Sequence, residues 1–210
     1  MINQTVGKSR SASKLTSRPE EMDYLSRRDR ALGDAIKRIG PVSVDLNPDL
    51  FSALLESIVW QQLSGKAAST IYQRLLDRVG TPDARHLYDT GPDALRACGL
   101  STRKAASIYE ISRRVLAHEF DFQAVTSLPD DEVVRHLTQL PGVGVWTAEM
   151  LLIFSLARPN IFSWGDLGIR NGVMKLHRRT SLTREQFDRY ARKYAPYGTI
   201  ASLYMWQIAN

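Results

Sequence analysis

Leu140-Pro141-Gly142-Val143-Gly144-Val145-Trp146-Thr147-Ala148 constrains this chain more than any other stretch. Val133, Val134, Leu137 and Leu140 recur at helical spacing before it, and Ala148, Leu151, Leu152 and Leu156 do so after it. Two helices therefore flank a short hairpin. Pro141 ends the first helix, and Gly142 and Gly144 are read as supplying backbone angles that a side chain forbids. The amides of such a turn head the second helix, where outward N–H groups and the helix dipole favour an anion such as phosphate. One loop beyond that second helix, Asp166 opens another. Taken alone, an Asp there caps the helix that starts at Leu167.

Composition narrows the class. In 210 residues, 43% hydrophobic and 24% charged, there is enough apolar material for one domain or two closely coupled lobes. The net charge of +6 favours a polyanionic partner. Cys98 is the single cysteine, which excludes an internal disulfide framework or a thiolate cluster and suggests a reducing compartment. The four histidines (His86, His118, His136 and His177) lack zinc-ligand spacing. No apolar run is long enough to span a bilayer, so no membrane partner is expected.

Residues 1–16 read as a flexible basic arm carrying Lys8, Arg10 and Lys14. Ser17-Arg18-Pro19-Glu20 has capping-box spacing, and Leu25, Leu32, Ile36 and Ile39 then mark one helix that stops at Gly40-Pro41. Pro48 opens a second helical region. Its apolar stripe breaks at Trp60-Gln61-Gln62-Leu63-Ser64-Gly65 and resumes at Ala67, so a polar joint separates two helices. A short helix leads to Cys98-Gly99-Leu100, and a long one starts at Ser101-Thr102-Arg103-Lys104. Thr183-Arg184-Glu185-Gln186 is a second capping box, and a final apolar helix follows Pro196-Tyr197-Gly198. Phe187 and Trp206 read as core. No stretch alternates long enough to argue a strand, so the expected class is all-α.

The pattern L-P-G-V-G-x-x-T-A, an apolar helix, then Asp166 resembles the helix-hairpin-helix (HhH-GPD) DNA glycosylase superfamily. Ser57-Ile58-Val59-x-Gln61-Gln62-Leu63-Ser64-x-x-Ala67-Ala68, Gly99-Leu100-Ser101-x-x-Lys104 and Asp166-Leu167-Gly168-Ile169-Arg170 look most like the yeast and bacterial 3-methyladenine DNA glycosylases. The resemblance covers roughly residues 45–208. It implies a two-lobed helical fold with the cleft between lobes: 45–155 as a central lobe ending in the hairpin, and 17–44 plus 156–210 as a terminal lobe.

The resemblance also implies roles. Asp166 would be the catalytic carboxylate that stabilises an oxocarbenium-like sugar and orients water. Gly142, Gly144, Val145 and Thr147 would hold a DNA strand, with Arg170 and Lys175 meeting phosphates. Gln61, Gln62, Leu63 and Ser64 would face DNA at the joint, and either Gln62 or Leu63 would fill the gap left by a flipped nucleotide. Bifunctional relatives carry a lysine where this chain has Trp146, so the implied enzyme is a monofunctional hydrolase that leaves an abasic site. Alkylated purines are cationic, and Trp60, Trp164 and Tyr24 are the aromatics expected to line the base pocket.

Main-chain carbonyls of Thr138, Leu140 and Val143 would hold K⁺ or Na⁺ at the hairpin, with no organic cofactor and no iron-sulfur cluster. The implied partner is double-stranded DNA containing alkylated or abasic nucleotides. The protein would act as a monomer in base excision repair, in the nucleus if eukaryotic and otherwise in the cytoplasm or nucleoid. Trp164-Gly165 stands where many relatives have an acidic or polar residue before the Asp, and Trp60 where many have a small one. These departures motivate an alternative: a weakly active or non-catalytic helix-hairpin-helix protein that binds DNA.

Overall fold

The computed structural model describes residues 13–63 and 65–210, so Ser64 and most of the expected basic arm lie outside the described residues. The chain divides into two compact units, Asn47–Leu151 and Ala12–Leu46 with Leu152–Asn210. Among the described residues there are twelve helices and one two-stranded ribbon, which places the protein in the all-α class.

The continuous unit holds α3 (Leu50–Trp60), α4 (Gly65–Val79), α5 (Ala84–Ala97), α6 (Thr102–Leu116), α7 (Phe122–Thr126) and α8 (Asp130–Leu137). It also holds most of α9 (Val145–Phe154), inside which the division falls. Asp49 starts α3 by accepting from the Ser52 amide, and Ser101 starts α6 by accepting from Lys104. Leu54, Ile58, Leu75, Leu87, Leu95 and Leu137 are among its fully buried side chains. Truncating any one of them to Ala is worth about 2–5 kcal/mol. The five-residue α7 was not anticipated: it shows no readable period and is set by Asp121, which accepts from the Gln123 and Ala124 amides.

The other unit begins with β1 (Lys14–Thr16), antiparallel to β2 (Ser43–Asp45) with Leu15 opposite Val44. The expected arm therefore ends earlier than 16, because Lys14–Thr16 is paired. Three-residue strands are too short for alternation to show. Ser17 does not cap a helix; it exchanges hydrogen bonds with Val42 through its amide and its hydroxyl. Arg18 precedes α1 (Pro19–Arg28) instead, its amide donating to Glu21.

The single first helix expected from the apolar stripe is two, α1 and α2 (Arg30–Ile39). Asp29 breaks it. Its Oδ1 accepts from the Ala31 and Leu32 amides, while its Oδ2 accepts from Lys193 Nζ and the Tyr194 hydroxyl, both at 2.9 Å. His177 Nε2 lies 3.4 Å from the same Oδ2. These partners come from α10 (Leu167–Leu176), whose C-cap is His177, and from α11 (Arg184–Tyr194). The capping box at Thr183 and Gln186 forms as expected and starts α11. Leu25, Leu32, Ile36, Ile169, Val173 and Phe187 share the core with Tyr204 and other residues of α12 (Gly198–Ala209).

No side chain fits where α12 crosses α10: a Cβ on Gly172 would overlap the Met205 carbonyl. One turn earlier, a Cβ on Gly168 would sit 2.8 Å from the Trp206 ring. The two glycines thus bring the helices into close approach.

Asp29 is 4% exposed, and burial pushes its carboxyl pKa up. Hydrogen bonds from His177, Lys193 and Tyr194 outweigh burial and hold it below the usual carboxylate range. A depressed folded-state pKa stabilises the protein above the unfolded value, and this contribution is lost as pH falls toward the folded one. Asp29→Asn should therefore cost about 3 kcal/mol at pH 7. Urea unfolding of both proteins from pH 7 down to pH 3 should show the gap narrowing below about pH 4.

Candidate active site

The site residues predicted from sequence are divided between the two units, and each group is described within its own unit. In the continuous unit, α8 ends at Leu137 and the chain turns tightly: Leu140 N–H donates to Leu137 O, and Val143 N–H to Leu140 O. Gly142 has φ +81°, and a Cβ there would meet Ser107 Oγ at 2.8 Å. Gly144 corrects the expectation that both glycines supply forbidden angles. Its φ is not left-handed and nothing lies within 4 Å of where its Cβ would be, so it contributes bare surface instead. The Ala148 amide reaches back onto Gly144 O, which places the turn directly at the head of α9. Val145 beside them is 56% exposed.

The hairpin is braced from behind. Gln61 Nε2 donates to Gly142 O at 3.1 Å and to the buried Thr147 Oγ1 at 3.3 Å, so two residues expected at the DNA surface bond each other. Lys104 Nζ donates to Val59 O at 2.8 Å and Gln61 O at 2.7 Å, closing the end of α3, and burial lowers its pKa. Arg114 Nη1 donates to Gln139 O. The joint itself projects: Gln62 is exposed with φ +57°, and Leu63 is 38% exposed. Trp60 is half-buried, and its indole nitrogen is buried without a hydrogen-bond partner.

In the discontinuous unit, Asp166 is the N-cap of α10 and is 7% exposed. Its Oδ1 accepts from the Ile169 amide at 2.8 Å and from Trp206 Nε1 at 2.9 Å. The capping reading is therefore correct, and it orients the carboxylate without excluding chemistry. Trp206 packs against the core as expected and is in addition a direct partner of Asp166. No local signal announces this, since the contact depends on how α12 crosses α10.

Trp164 lies under the Arg170 guanidinium at 5.0 Å and near that of Arg184 at 5.8 Å, with Phe187 edge-on at 5.3 Å. The buried Arg170 Nε has no hydrogen-bond partner. Lys175 is exposed in the last turn of α10. Tyr24 donates its hydroxyl to Ala195 O and meets Tyr197 edge-on. Among the described residues no group of His, Cys, Asp and Glu could hold a metal ion. No helix among them is long and apolar enough to cross a membrane.

A braced hairpin heads α9 and a buried capping Asp heads α10, the two features that the sequence led us to expect. The comparisons agree. Residues 55–196 match the model for the HhH-GPD superfamily base excision DNA repair protein. DNA-3-methyladenine glycosylase 1 of Schizosaccharomyces pombe is 33% identical over 165 residues, covering 76% of this chain and 72% of that protein. A DNA-3-methyladenine glycosidase from Bacillus halodurans superposes with a TM-score of 0.83 at 34% identity, over 94% of this chain and 93% of the other. A Schizosaccharomyces pombe 3-methyladenine DNA glycosylase (Mag1) in complex with abasic DNA superposes with a TM-score of 0.79 at 30% identity, over 90% and 95% of the two chains. This chain belongs to the HhH-GPD superfamily of base excision DNA repair proteins.

The glycines should separate by substitution. Gly142→Ala places a Cβ at a strained φ against Ser107 and should lower stability by about 1 kcal/mol or more. Gly144→Val meets open space and should change stability by less than about 0.5 kcal/mol, yet weaken duplex binding by covering the bare turn. Thermal unfolding and fluorescence anisotropy with a labelled duplex read the two effects.

Proposed function

We propose that this protein is a monofunctional DNA glycosylase that hydrolyses the N-glycosidic bond of alkylated purines in duplex DNA and leaves an abasic site. The observation that carries the reading is Asp166 held by two N–H donors at the head of α10, in a chain of this family. The similar proteins, which are 3-methyladenine DNA glycosylases by name, support the substrate class.

In this reading the turn at the head of α9 holds a strand phosphate, and Gly144 lets the backbone approach. Gln61 and Lys104 fix the turn and the joint, so that exposed Gln62 and Leu63 can occupy the space a flipped nucleotide vacates. Arg170 and Lys175 meet phosphates, and Trp60 and Tyr24 offer aromatic faces to a cationic base, whereas Trp164, expected beside them, already carries the Arg170 and Arg184 guanidinium groups. An N-alkylated purine leaves with the bonding electron pair as a neutral base, so no strong acid is needed. The sugar carbon gains positive charge, which the Asp166 carboxylate stabilises, and water then bonds to that carbon while Asp166 takes its proton. Trp146 has no amine with which to attack the sugar.

K⁺ or Na⁺ on the carbonyls of Thr138, Leu140 and Val143 belongs to the same proposal. Neutral carbonyl donors without a carboxylate suit a monovalent ion, and Leu140 O keeps one lone pair beyond its bond from Val143. The ion would supply a fixed positive charge beside the strand.

The test is base release from methylated duplex DNA by the wild type and Asp166→Asn. The variant should lose at least about 100-fold in single-turnover rate with DNA affinity retained. Equal release by both would remove the role from Asp166, and tight binding with no release by either would favour the non-catalytic alternative. Borohydride should trap no covalent protein–DNA adduct with the wild type.

A further inference from the structure

We propose that Trp206 is a positioning residue that fixes the orientation of the Asp166 carboxylate through its indole N–H. The proposal rests on the reading of Asp166 given above. The indole is placed by the backbone: Gly172 lets α12 press its Met205 carbonyl onto α10, and Gly168 leaves the room that the Trp206 ring occupies. Phe154 stacks on the ring with centroids 5.6 Å apart and planes 16° from parallel, so the ring is held from another side. Its Nε1 then reaches Asp166 Oδ1 at 2.9 Å.

An indole nitrogen is a donor only and keeps its proton across the working pH range, so this contact does not switch. The Ile169 amide donates to the same oxygen from the helix. Two N–H groups converging on one oxygen from different helices hold a short side chain in one orientation. They also supply, without reorganisation, solvation that water would otherwise give. A displacement of about 1 Å at such a group is enough to lose orders of magnitude in rate.

The experiment is a double-mutant cycle with single-turnover base release from methylated duplex DNA, using wild type, Trp206→Phe, Asp166→Asn and the double variant. Binding to a duplex carrying a stable abasic analogue is measured alongside. Trp206→Phe keeps the stack on Phe154 and deletes the donor. It should slow release about tenfold or more, leave DNA affinity within about twofold, and add no further loss in the Asp166→Asn background. Gly168→Ala keeps both side chains but puts a Cβ 2.8 Å from the Trp206 ring and 3.1 Å from Asp166 Oδ1, so it disturbs the contact from both sides and should slow release similarly; it is the second variant if Trp206→Phe does not fold.

Wild-type release by folded Trp206→Phe or Gly168→Ala, with Asp166→Asn inactive, would overturn the proposal alone. A loss that multiplies fully with that of Asp166→Asn would also overturn it, because that marks a general structural defect. Asp166→Asn releasing base at the wild-type rate would instead bring down the reading of Asp166.

Discussion

The close approach of α12 to α10 governs the discontinuous unit. With the Met205 carbonyl against Gly172, α12 can cross α10 only where α10 lacks a side chain, and that crossing brings a tryptophan from near the end of the chain to the cap of α10. Cap, glycine gap and indole form one construction. Asp166 begins the helix for ordinary reasons of amide satisfaction, and the same constraint leaves its carboxylate in one defined orientation. The opposite end of α10 is tied as firmly, since its C-cap His177 meets buried Asp29.

The continuous unit uses another device for a similar end. A glycine turn has little intrinsic rigidity, so the hairpin takes its shape from behind: Ser107 abuts Gly142, Gln61 joins Gly142 to Thr147, and Arg114 holds Gln139. Lys104 closes the end of α3, where four carbonyls of any helix lack internal partners, and so fixes the joint from which Leu63 projects. Polar side chains here serve the protein's own backbone, which leaves main-chain groups and exposed tips to face outward.

Much of this was legible in the sequence because it is local. The hairpin, the broken stripe at Trp60–Gly65, the Thr183 capping box and the cap at Asp166 are each written within a few consecutive residues. What escaped depends on contacts far apart in the chain or on elements too short to have a period. Asp29 splits a continuous apolar stripe into α1 and α2 because its partners come from α11 and the end of α10. The strands Lys14–Thr16 and Ser43–Asp45 pair across two helices, and α7 spans little more than one turn. Gly142 and Gly144 look alike in sequence, yet only one needs a left-handed angle. Trp206 could not be assigned to Asp166 without knowing which helix crosses which.

The interleaving of segments bears on how the molecule is made. Asn47–Leu151 is an unbroken run, so on a ribosome its helices can find one another as soon as they emerge. Ala12–Leu46 emerges before that run but owes its core to residues synthesised after it, among them Tyr194 and Tyr204. Through most of translation its α1 and α2 hold Leu25, Leu32 and Ile36 without their final neighbours, a window in which a holding chaperone has apolar surface to bind. Vectorial synthesis thus matures the unit that carries Asp166 after the Asn47–Leu151 run, and the carboxylate gains its indole partner only once Trp206 has left the tunnel.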